Sequence, residues 1–133
     1  MQIIARRLIE EESDGRDASR ARAALRVCDK LRKSLSVLTG VKGFASLLSR
    51  ALKQAGEEVP WLKGLLIDGN GALVPLSPEA EAGISSRDAA KGGLALVVHL
   101  LELLATFIGE ALTLRLLQQV WPRTALKLEK DTR

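Results

Sequence analysis

Tyrosine is absent from this 133-residue chain, which holds one cysteine, one methionine, two tryptophans and two phenylalanines, and a single histidine. A lone cysteine leaves no internal disulfide and no thiolate cluster for a metal, so Cys28 reads as a small core hydrophobe in a reduced compartment. A lone histidine, His99, rules out the second Glu-x-x-His with which helical bundles hold a metal pair inside one subunit. It also leaves one imidazole to activate every hydroxyl or thiol nucleophile. The shortage of aromatic rings argues against single-stranded nucleic-acid binding by base stacking. With β-branched residues also scarce, the composition favours helix over sheet.

Other absences narrow the function. There is no nucleophile elbow, phosphate loop or dinucleotide fingerprint. Asp68, Asn70 and Glu79 fall at the first, third and twelfth positions of a calcium loop. However, Leu73 stands where that loop needs glycine, and Ala72 offers no side-chain oxygen. No catalytic residue, cofactor or metal is expected. No long apolar run opens the chain, because Arg6, Arg7 and the acids Glu10, Glu11 and Glu12 interrupt it; a cytoplasmic location is the expectation.

What is present is leucine, alanine and charge of both signs, with a net charge of +4. The length suits one domain with a core of its own, expected over 1–122, with a charged tail over 123–133. The predicted fold is mainly α, a compact helical bundle around a long C-terminal helix with a small β-hairpin insertion. Ile3, Ile4, Leu8 and Ile9 give an amphipathic first helix, closed by Ser13, Asp14 and Gly15. Ala21, Ala24, Cys28, Leu31, Leu35 and Leu38 recur three or four apart, predicting a second helix over about 17–38. Asp17 or Ser19 would cap it and Gly40 would stop it. Phe44, Leu47, Leu48, Ala51, Leu52 and Ala55 mark a third helix, with Gly56 as its stop. Apolar runs on either side of Asp68-Gly69-Asn70-Gly71 predict a hairpin over about 64–75, held against the helices with Trp61 as anchor. Ser77-Pro78-Glu79 and Ser85 through Asp88 are helix starts. The second of these opens a helix running over 86–121 until Pro122, with Gly92 and Gly93 allowing a kink or a close approach.

That last helix carries the main functional expectation. At about 100° per residue, His99, Glu102, Thr106, Glu110 and Thr113 share an arc of roughly 80° on an otherwise apolar cylinder, with Arg115 opposite. The polar seam is expected to be either wet or satisfied by basic groups of other helices. So greasy a surface calls for a cover. The leading expectation is therefore a non-enzymatic assembly module, oligomerising with itself or another protein through Leu100, Leu103, Phe107 and Leu114. The alternative is nucleic-acid or polyanion binding along Arg22, Arg26, Lys30 and Lys33, a basic stripe spaced four, four and three apart. A third reading is a membrane-active oligomer. An isolated span is disfavoured, because each acid or arginine near a bilayer centre costs about 2.5–3.5 kcal/mol. An oligomer that hides those groups would escape this cost.

Overall fold

A computed structural model describes residues 1–13 and 20–122. The expected cap at Asp17 or Ser19 and the tail over 123–133 lie outside the described residues. The chain forms helices α1 (Gln2–Glu12) and α2 (Arg20–Glu58), a 3-10 turn (Pro60–Gly64), strands β1 (Leu66–Ile67) and β2 (Leu73–Val74), and helices α3 (Pro78–Ala82), α4 (Ser86–Ile108) and α5 (Glu110–Val120). The architecture is the mainly α bundle with a small antiparallel hairpin.

Local chemistry accounts for most boundaries. Gly40, at φ 75° and ψ 161°, divides α2 into two helical arms, 20–39 and 41–58. A residue with no Cβ enters that conformation without steric cost. The second arm runs through Gly56 to Glu58, beyond the expected stop, because Gly56 is buried and the chain turns only at Val59 and Pro60. Ser77 caps α3 by accepting from Ala80 N–H (3.2 Å), and Ser85 caps α4 by accepting from Asp88 N–H (3.1 Å). In the hairpin Leu66 pairs with Val74 and Ile67 with Leu73. Its turn is held by the Asp68 carboxylate, which accepts from Asn70 and Ala72 N–H at 2.8 and 3.0 Å. Asp68 therefore serves the backbone as an Asx turn.

The long last helix is a correction. It breaks at Gly109, whose φ of 90° and ψ of 152° cannot continue a helix. Two shorter helices result, and the phase of their faces is reset between them. The core is centred on α4, which packs most extensively on α2 and also on α1 and α5. Leu96, Val97, Leu100, Leu101 and Leu104 of α4 are fully buried with Leu8 of α1 and Leu31, Leu35, Phe44 and Leu48 of α2. Leu38, expected on the buried face, is exposed beside the Gly40 break.

Trp61 anchors the 3-10 turn to α4, while the contacts of the hairpin are with α2. Its indole N–H donates to the Asp88 carbonyl (2.8 Å), and its ring lies on Gly92, where an added Cβ would meet ring atoms at 2.5 to 2.6 Å. The close approach expected of the Gly92-Gly93 pair is thus made at Gly92.

Candidate functional site

Three surfaces carry the residues singled out above, and the fold treats each differently. The first is the seam. His99 is partly buried and its Nε2 pairs with the Glu58 carboxylate at the end of α2. Glu102 and Thr106 are exposed, with the Thr106 hydroxyl donating to the Glu102 carbonyl (2.9 Å). Across the break, Glu110 is exposed in the first turn of α5, where the helix dipole favours an acid. Thr113 is buried, and its hydroxyl donates to the Gly109 carbonyl (2.8 Å). The five residues do not share one arc, because the Gly109 turn points Thr113 into the core while Glu110 faces solvent. Neither Glu102 nor Glu110 forms an ion pair with a described residue. Of the basic groups expected to meet them, Arg22, Arg26, Lys30, Arg32 and Lys33 are engaged elsewhere.

The second surface is the apolar set. Leu100 is fully buried in the chain's own core, which corrects its assignment to an outer contact. Leu103 and Leu114 are half-buried. Phe107 is 64% exposed, and just past Gly109 Leu112 is 40% exposed. Apolar surface is therefore exposed at the α4–α5 corner, as it also is at Val37, Leu38 and Val41 beside Gly40.

The third surface is the basic stripe, and every one of its four cations has an acceptor within the chain. Arg22 grips Glu81 of α3 through Nε (3.1 Å) and an Nη (3.2 Å). Arg26 donates to the Glu12 carbonyl (3.0 Å) at the end of α1, where a cation also suits the helix dipole. Lys30 pairs with the Glu12 carboxylate, and Lys33 with Asp29 (3.3 Å). Arg32 joins them on Asp29 (2.9 Å). The four acceptors lie on α1, α2 and α3, while Arg22, Lys30 and Lys33 stay largely exposed.

Glu12, named above only as one of three acids in a row, is the centre of this network. Its carboxylate is nearly covered, 9% exposed, and accepts from both Lys30 and the indole N–H of Trp121 (2.8 Å). Burial pushes this carboxyl up. Hydrogen bonds from Lys30 and Trp121, with the charges of Lys30 and Arg26, outweigh that and hold it below its ordinary value. Asp29 is likewise held low: burial raises it, and its bonds to Arg32 and Lys33 prevail. Burial drives the Cys28 thiol up to about 12, with the Asp29 charge adding to the effect, so Cys28 is an inert core group. Among the described residues no cluster of three metal-ligating side chains forms.

Helix α4 is long and apolar enough to cross a membrane, and seven of its 23 residues are buried in the bundle. Comparison with protein-family models, curated proteins and solved structures finds no match.

Proposed function

We propose that this chain is a non-enzymatic assembly module that associates with a second copy of itself through the α4–α5 corner. The observation that carries the reading is Phe107, the most exposed aromatic side chain among the described residues, set beside Leu112 on the other side of Gly109. Leu103 and Leu114 widen the apolar patch at its half-buried edge. Large apolar groups gathered in this way, rather than scattered singly, mark contact surfaces. Charge completes the match. Glu102 and Glu110 are exposed around the patch, and Arg115, exposed one turn beyond Leu112, has no acceptor among the described residues. In a two-fold contact each surface meets its own copy, so acids of one protomer can face the arginine of the other.

Sedimentation of the full chain across a concentration series tests this. The unaltered protein is expected to self-associate, and Phe107→Glu to sediment as a monomer with an unchanged circular-dichroism spectrum. A wild-type chain that stays monomeric at the highest concentration overturns the reading. The polyanion reading has less behind it, since Arg22, Arg26, Lys30 and Lys33 would have to leave Glu81, Glu12 and Asp29 to reach a phosphate. A membrane reading requires α4 to release the core it shares with α1 and α2, because its buried residues are that core.

A further inference from the structure

A cavity of about 220 Å³ lies apart from the α4–α5 corner, beside the Arg22–Glu81 pair and Trp61, and five segments converge on it. Leu25 of α2, Leu65 just before β1, Leu76 after β2 and Ile84 between α3 and α4 supply apolar wall, and Trp61 supplies an aromatic face. The tryptophan is fixed there, because its indole N–H is taken by the Asp88 carbonyl and its ring is seated on Gly92. Arg22 and Glu81 stand at the polar edge.

Size and polarity together define what fits. An apolar cavity of about 150 Å³ takes a benzene ring, and drug-sized ligands fill about 300–1,000 Å³. The space here falls between them, suiting one ring with a short side chain. The polar edge can both donate and accept, through Arg22 and the Ser86 hydroxyl and through the remaining lone pairs of Glu81. Both oxygens of Glu81 accept from Arg22, through Nε and one Nη, whereas a guanidinium has five N–H groups. Its other Nη nitrogen has no acceptor among the described residues. The unused guanidinium donors favour a ligand that brings an acceptor, and the positive charge favours a carboxylate among acceptors. Arg22 can bind a carboxylate with its free donors, or exchange Glu81 for it at little cost, since exposed ion pairs contribute only about 0–1 kcal/mol. The first turn of α4, represented in the wall by Ser86 and Ala89, adds the positive end of a 23-residue helix.

We infer that this cavity binds a small aromatic or branched-chain carboxylic acid, with its apolar body against Trp61, Leu25 and Leu76 and its carboxylate on Arg22. The site is separate from the α4–α5 corner, and its success or failure is independent of self-association.

The test uses the full chain, labelled with ¹⁵N, titrated with 3-phenylpropionate and, in parallel, with the neutral 3-phenylpropan-1-ol. Saturable shifts are expected in the indole N–H signal of Trp61 and the amide signals of Leu25, Leu65 and Leu76, with the Trp121 indole unmoved. The alcohol and the Arg22→Gln variant are each expected to bind at least tenfold more weakly than the acid with the unaltered protein. Ala89→Leu, which fills the cavity from α4, is expected to abolish the shifts while leaving the rest of the spectrum in place. If Ala89→Leu fails to fold, Ile84→Phe fills the same space from a loop. Absence of saturable shifts overturns the proposal. So does equal binding of acid and alcohol, or undiminished binding in a folded, cavity-filled variant.

Discussion

The bundle turns two corners on glycine, and they are built alike but held differently. At Gly40 and at Gly109 the backbone takes nearly the same conformation, φ 75° and ψ 161° against φ 90° and ψ 152°. At both, a threonine hydroxyl donates to the glycine carbonyl, Thr39 at 3.0 Å and Thr113 at 2.8 Å. Apolar residues are left outside at each, Val37, Leu38 and Val41 at the first and Phe107 and Leu112 at the second. The difference lies in what braces them. The hairpin leans on the first corner, where Gly71 packs beside Val41 and Ala45. Both helical arms there are also rooted in the core, by Leu35 and by Phe44 and Leu48. The second corner leads into α5, a short helix whose core residues are Thr113 and Leu117 and whose far end is moored by Trp121 on Glu12. The same local geometry thus makes a fixed joint in one place and a joint moored at a distance in the other.

Substituting the glycines gives the largest contrast. A side chain in this region of backbone space costs about 1–3 kcal/mol. Gly40→Ala should show that loss in full on urea unfolding, because neither arm can move to relieve it. Gly109→Ala should lose less and gain helical signal by circular dichroism, since α4 and α5 can straighten toward one helix. Equal losses with no gain in helicity would erase the distinction.

Cutting the mooring comes next. Glu12→Gln should cost about 1–2 kcal/mol at neutral pH through weakened charge-assisted hydrogen bonds. The folded-state pKa of Glu12 lies below its ordinary value of 4.5. Its stabilisation is therefore complete above that pH and fades as the pH falls through the lowered value. The stability gap between variant and wild type should close in acid; an unchanged gap would mean that the charge of Glu12 is not what holds α5. The smallest effect is a null one. Cys28 sits in the first arm of α2, so it should stay unreactive toward a disulfide reagent in folded Glu12→Gln, reacting only on unfolding. A reactive thiol in that variant would show that releasing α5 loosens the fixed part as well.

Much of this scaffold was legible from residue types. Ser77 and Ser85 announced their caps, Asp68 through Gly71 announced the turn, and Gly40 announced the first corner, because each acts on neighbours within four positions. Gly109 did not, since a glycine in an apolar run is compatible with a continuous helix until packing on both sides is known. That one break undid the common face of His99, Glu102, Thr106, Glu110 and Thr113; Leu100 and Phe107, both on α4 ahead of it, differ because the packing that buries Leu100 does not reach Phe107. The basic stripe was read correctly as a row on one helix, but its partners Glu12 and Glu81 lie on other helices, and periodicity carries no information about them. The same holds for the cavity beside Arg22, which exists only where five distant segments meet.

The Glu12–Trp121 contact also bears on the order in which the protein is assembled. The two residues are 109 positions apart, and closing so long a loop carries an entropic cost that must be met before the contact contributes anything. Lys30 and Arg26 reach Glu12 from only 18 and 14 positions away. As the chain emerges from the ribosome, α1 and the first arm of α2 can therefore prepare the acceptor early, with the cations already in place. The Trp121 indole arrives only after the other helices of the described bundle have been made, so this contact closes last among them.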